Sequence, residues 1–169
     1  MQRPIVGFRL DEANDWTALL NCGHAQHVRH DPPFVSRPWV ATEDGRASRL
    51  GETLNCVRCD RMELPDGLLP LRRTPEFTAD SMPAGLRARH RTAAGTWGRI
   101  VVADGTLRYR VPGLGVDVEL SAGRDGIVVP EVEHDVEPRG AVRFHVEFYD
   151  LPSGLPSALP RPHAPEAES

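Results

Sequence analysis

Apolar and polar residues alternate with a period of two along much of the second half of the chain, and no helical period competes with it. Residues 86–92 put Ala88, His90 and Thr92 on one face and Arg87, Arg89 and Arg91 on the other. Residues 97–103 read as a buried strand, Asp104-Gly105 as a hairpin turn, and 106–111 as the strand that returns from it. Further strands are predicted at 116–120, 126–129, 134–137 and 142–149. Many short strands at this spacing indicate a sandwich or a barrel. The first half is more irregular. Residues 5–10 and 16–20 predict two strands across a turn at 11–15, and Pro32, Pro33 and Pro38 predict a loop.

The pattern divides the chain. Pro65, Gly67 and Pro70 suit a linker, and Pro160, Pro162 and Pro165 mark a tail too polar to bury a core. The expected organisation is a first module at 1–62, a linker at 63–72, a β-barrel at 73–150 and a disordered tail at 151–169. A module of about sixty residues builds little core and calls for a staple.

Composition narrows the chemistry. The 169 residues carry a net charge of −4 and no lysine, which excludes Schiff-base chemistry and a phosphate-loop lysine. Acidic and basic residues balance before Asp60 with no basic stripe, which argues against a nucleic-acid partner. No apolar run is long enough to span a membrane, and the first ten residues lack a signal-peptide pattern, so a cytoplasmic location is expected. The three cysteines, Cys22, Cys56 and Cys59, are an odd number, and they point to metal or redox use rather than to a disulfide framework.

Cys22-Gly23-His24 and Cys56-Val57-Arg58-Cys59 are two short clusters separated by a long loop. Structural zinc sites are built this way: each tight turn aims two ligands at one point, and two turns close a tetrahedron. Thiolate and imidazole together suit zinc better than magnesium or calcium. His27 and His30 are alternatives to His24. A redox dithiol at Cys56 and Cys59 is the competing reading, but such a motif normally opens a helix beside a βαβ unit, and none is predicted. The phrase CGHAQHVRHDPPF with RPW and CVRC resembles a small uncharacterised bacterial family of zinc-ribbon-like modules over residues 2–60. That resemblance implies a metal site and no activity.

In the second half, LRRTPEFT, PAGLRARHRTAAGTWGRIVVADGTLRYRV, VVPEVEHDVEP and VRFHVEFYD together resemble the TehB/YeaR-like cupin family over residues 71–150. That family includes the N-terminal domain of some tellurite-resistance methyltransferases and small stand-alone stress-associated proteins. The resemblance implies one cupin-type (jelly-roll) barrel, with His90, His134 and Glu147 around a divalent metal, zinc first among candidates. Thr92 stands where the family has a second histidine, and the usual glutamate near Trp97 and Gly98 is missing. Glu147 joins His90 only if the polar face of its strand lines the barrel, in which case His145 joins too. If the face of Val142, Phe144, Val146 and Phe148 lines it, Glu147 points away. Arg89, Arg99 and Arg108 are candidate contacts for an anion, or else a solvated strand face.

The expected fold is therefore mainly β, a small zinc-ribbon-like module followed by a single cupin-type barrel. The expected function is a metal-binding cupin protein of the stress or tellurite and oxyanion response, binding a small molecule or anion in the barrel. A metal-dependent cupin enzyme is the alternative, and a homodimer through strand edges is the expected assembly.

Overall fold

A computed structural model describes residues 1–28 and 37–152. His30, the expected loop at Pro32 and Pro33, and residues 153–169 of the expected tail lie outside the described residues, while Leu151, expected in that tail, is buried. The chain is mainly β, as its alternation predicts.

Strands β1 (Gln2–Leu10) and β2 (Trp16–Leu20) pair antiparallel across the expected turn. The Asp11 carboxylate closes that turn by accepting from the backbone N–H of Ala13 at 2.9 Å and of Asp15 at 2.8 Å. Asn14 there takes the left-handed conformation that its short polar side chain tolerates. β3 (Ala25–His27) and β4 (Thr53–Asn55) complete a sheet ordered β3-β2-β1-β4. Helix α1 (Glu43–Ala47) precedes β4 and the single turn α2 (Val57–Asp60) follows it.

The second sheet is a curled half-barrel. It contains β5 (Leu69–Arg73), β6 (Phe77–Thr78), β7 (Trp97–Val111), β8 (Val116–Leu120), β9 (Gly126–Val128) and β10 (Asp135–Asp150). The order is β5-β10-β7-β8, with β6 added to β10 and β9 to β7. Every pairing is antiparallel. On β10 the apolar positions Val142, Phe144 and Val146 are buried in the core, as the alternation requires.

Three expectations change. Asp104-Gly105 is not a hairpin turn: β7 runs through it as one 15-residue strand, and 134–137 and 142–149 fall along one 16-residue strand, β10. The two strands bend together, since their register shifts between Pro138 and Val142 and again between Arg143 and Phe144. Gly105 sits at that bend with φ +77, and Gly140 opposite has φ +87. The positive φ that suggested a turn is thus used by a pair of bulges that curl the sheet. Residues 86–92 do not form a strand. Pro83 starts a 3-10 turn at Ala84–Arg87, and His90 then meets the sheet in a lone bridge to His134. The segment 63–72, expected as a linker, ends in β5, whose Leu69 pairs with Asp150.

Two cores result. One lies under the second sheet, around Ile100, Leu107, Tyr109 and Phe144. The other mixes the halves: Ile5, Ala18 and Leu20 of the first sheet pack with Trp97, Val129 and Leu151 from the second half of the chain. No helix among the described residues is long and apolar enough to cross a membrane.

A Cβ on Gly105 would lie 2.1 Å from the Ala141 carbonyl oxygen, in a conformation that already disfavours side chains. Gly105→Ala is expected to lower stability by at least about 2 kcal/mol in denaturant melts. Gly113→Ala, where a Cβ meets nothing within 4 Å, is expected to stay within about 0.5 kcal/mol of the parent.

Candidate metal centre

The first pair of ligands comes from a tight turn at the end of β2. Gly23 N–H donates to the Leu20 carbonyl at 2.8 Å and Leu20 N–H to the His24 carbonyl at 2.9 Å, which folds Cys22 and His24 onto one side. Gly23 has φ +88, a conformation that favours glycine, and a Cβ there would also press on Leu151 Cδ2 at 2.5 Å. The second pair flanks the start of α2. Cys56 is fixed by its N–H donating to the Met1 carbonyl at 2.7 Å, and one helical turn carries Cys59 to the same side. The Met1 ammonium ties down this corner through Asn55 Oδ1 at 2.7 Å and through the Asp60 carboxylate.

The four side chains converge, all buried, with one ligand atom from each lying within 4.8 Å of the others. His24 Nδ1 lies 3.5 Å from Cys22 Sγ, 3.3 Å from Cys56 Sγ and 3.6 Å from Cys59 Sγ, and Cys22 Sγ lies 4.0 Å from Cys56 Sγ. A zinc tetrahedron with ordinary bond lengths has S–N edges of about 3.6 Å and S–S edges of about 3.8 Å. The donor set and its dimensions fit that metal. It is the one group of three or more such ligands among the described residues. Of the alternatives to His24, His27 is more than half exposed and faces Asp11 at 3.5 Å.

Without a cation, three adjacent thiols cannot all ionise. Hydrogen bonds from Cys22 and Cys59 hold the Cys56 thiol well below its ordinary range. Cys22 is pushed up to about 11, first by its hydrogen bond to Cys56, and Cys59 is pushed up by its bonds to both. A divalent ion would supply the charge that lets all three be thiolates.

Trp97, whose part in this centre the sequence pattern did not suggest, closes it from the other sheet. Its Nε1–H donates to the Cys22 carbonyl at 2.8 Å, and its ring stands edge-on to His24 with centroids 5.5 Å apart. On the opposite side lies a cleft of about 290 Å³, with His24 and Cys56 at its floor and Gln26, His27, Asn55 and Arg58 around it.

The expected barrel site is brought together in part. His90 and His134 exchange backbone hydrogen bonds of 2.9 and 2.8 Å, and their rings stand 5.4 Å apart. They line a cavity of about 20 Å³, room for one water-sized group, with Thr92 and apolar walls that include Ile100, Phe144 and Phe148. His134 Nδ1–H donates to the Val132 carbonyl at 3.0 Å, which leaves Nε2 as a bare acceptor. Burial pushes the His134 imidazole below its usual range, favouring this neutral form.

Glu147 is a correction: it does not line that cavity. It lies on the other face of β10, where His145 Nε2 is 3.3 Å from its Oε1 and the Tyr149 hydroxyl donates to Oε2 at 2.7 Å. The hydrogen bond from Tyr149, and then that from His145, holds its carboxyl below the ordinary range. The apolar face of β10 fills the half-barrel, so the polar face cannot. The three arginines considered for an anion have carboxylate partners: Arg89 with Glu133 at 3.8 Å, Arg99 with Asp125 at 2.7 Å and Arg108 with Asp117 at 2.7 Å.

Comparison with known proteins finds one family match in each half of the chain. Residues 6–63 match a family described as a protein of unknown function, DUF3565, and residues 72–146 match a TehB-like domain. A crystal structure of a protein from Escherichia coli strain K12, a structural-genomics target, is 23% identical. It aligns with 53% of this chain and 97% of its own, at a TM-score of 0.49. TehB from Haemophilus influenzae is 24% identical over 51% of this chain, at a TM-score of 0.47, and the match spans 32% of that protein. No curated protein matches the chain.

Cys56 retains 3% of its surface and borders the cleft, whereas Cys22 and Cys59 retain none. Iodoacetamide is expected to label Cys56 first in the native protein. Tryptic peptides, which separate Cys56 from Cys59 at Arg58, would report this by mass spectrometry, and equal labelling of all three would contradict it.

Proposed function

We propose that this protein is a zinc-stapled, TehB-like binding protein. Its first module holds a structural zinc through Cys22, His24, Cys56 and Cys59. Its second is a single cupin-type barrel whose His90 and His134 face a small ligand. The observation that carries the reading is the convergence of three thiols and one imidazole, all buried, at zinc-compatible distances. All four positions are filled by protein, which is the arrangement of a structural rather than a catalytic site.

The TehB-like match supports a role connected with tellurite resistance, and so with an oxyanion or another small stress-related molecule. The cavity limits what enters it. At about 20 Å³ it admits a single ion or the tip of a small molecule unless Leu86 or Phe148 moves aside. Two imidazoles without a carboxylate make an incomplete set for oxygen-activating metal chemistry, so binding is the better reading than catalysis. A barrel metal, if one enters, is held by His90 and His134 alone.

Elemental analysis of the purified chain tests this. One zinc per chain is expected in the parent and in the His90→Ala, His134→Ala double variant, and none in Cys56→Ser. A parent without zinc, or a count that follows the barrel histidines, would overturn the assignment. Cys56→Ser is also expected to abolish cooperative melting of the first sheet, since a core this small depends on its metal. Near-ultraviolet circular dichroism of Trp16 and Trp39 would report that loss.

A further inference from the structure

The halves of the chain meet through an ionic clamp, buried at Arg3 and half-exposed at Glu131, and the clamp ends at the barrel's histidine pair. Arg3, in β1, is buried to 4% exposure. Its guanidinium donates to Glu131 Oε2 at 3.0 Å and to the Pro130 carbonyl at 2.7 Å. Asn21, which immediately precedes the metal-ligand candidate Cys22, adds a bond from Nδ2 to the same Glu131 oxygen at 3.3 Å. Arg3 Nε and Asn21 Oδ1 are left buried without a partner. A buried arginine with an orphaned N–H costs free energy, so the contact is maintained against a penalty.

Glu131 is itself held in an uncommon state. Its φ is +64, a left-handed conformation that non-glycine residues rarely take and that clusters where surrounding structure over-determines it. From this residue two short links reach the cavity. Glu131 N–H donates to the carbonyl of Thr92, which lines the cavity, at 3.2 Å. The next residue, Val132, presents the carbonyl that accepts from His134 Nδ1–H.

We propose that Glu131 is a positioning residue: gripped by Arg3 and Asn21 of the metal-bearing module, it holds the Val132 carbonyl where it fixes His134 in one tautomer, with Nε2 toward the cavity. The inference deepens the reading of the barrel as a binding site, and it gives the fusion of the two modules a physical purpose. The metal turn, through Asn21, sets the hydrogen-bonding character of a site in the other sheet. A ligand there meets a bare acceptor at His134 Nε2 only while the clamp is closed.

Long-range ¹⁵N NMR of histidine rings in the full-length, zinc-loaded chain separates the two imidazole tautomers. In the parent, His134 is expected to show the single Nδ1–H form. Glu131→Gly removes the clamped carboxylate but accommodates φ +64 without strain, so the fold should survive. That variant is expected to lose the single-tautomer signature while keeping its zinc. Arg3→Ala should do the same, and Glu131→Gln, which retains an acceptor for Arg3 and Asn21, should restore the parent spectrum. An unchanged His134 signal in Glu131→Gly would overturn the proposal. So would a parent in which His134 already samples both tautomers. The measurement uses ligand-free protein, so a barrel that binds nothing would overturn the binding reading without altering the tautomer that Glu131 imposes on His134.

Discussion

The hydrogen bond from the Trp97 indole to the Cys22 carbonyl is the contact on which the two halves depend. The turn that presents Cys22 and His24 must lie flat against something, because its tip is buried and its carbonyl cannot reach water. Leaving such a group unpaired would cost about 1–3 kcal/mol. The partner is the first residue of β7, the strand that pairs with β8, β9 and β10 at the middle of the second sheet. A central strand of one half therefore supplies the missing wall of the other. The same indole stands against His24, so it also limits how that ring can turn relative to the thiols.

That dependence follows from size. The first sheet has two strands of length and two of three residues, and on its own it cannot enclose a core. Its buried residues are completed by Trp97, Val129 and Leu151 from the other half, and centred on the cysteines. Two features thus mark one small layer: packing against a larger sheet, and a buried Cys/His group that could hold a cation. The second is electrostatic as well as geometric. Buried thiols this close share protons uncomfortably, which is why Cys22 and Cys59 are pushed up while Cys56 is held down.

Much of this was legible in the sequence, and the exceptions share a cause. That Cys22, His24, Cys56 and Cys59 come together was readable because their short spacings are of the kind that metal ligation imposes. β1 and β2 were readable because Asp11 and Asn14 carry the turn chemistry themselves. Asp104-Gly105 misled because a glycine at positive φ serves a bulge as well as a turn; only the partner strand, with Gly140 opposite, decides which. The 86–92 alternation misled because Pro83 starts a 3-10 turn there and only the bridge at His90 reaches the sheet. Arg3, Glu131 and Trp97 were invisible as a set, since they lie far apart in sequence and none carries a local signature. Glu131 in particular reads as one more surface acid until its backbone and its buried partner are seen.

The two faces of β10 set Glu147 apart from the cavity that His134 lines. On the polar face the Arg73 guanidinium, which can only donate, lies 3.3 Å from His145 Nδ1, so that nitrogen is the acceptor and Nε2 carries the proton. Nε2–H then points to Glu147 Oε1, and Tyr149 donates to Oε2. The chain Arg73, His145, Glu147, Tyr149 is complete in itself: each imidazole nitrogen and each carboxylate oxygen has a partner. A ligand recruited there would have to break bonds it could not replace. Just before β10, His134 spends one nitrogen on the Val132 carbonyl and lines, with His90, Thr92 and apolar side chains, a space the size of one water. Around that cavity His134 has its ring held by a carbonyl at Nδ1, so its other nitrogen is the atom a donor or a cation would meet.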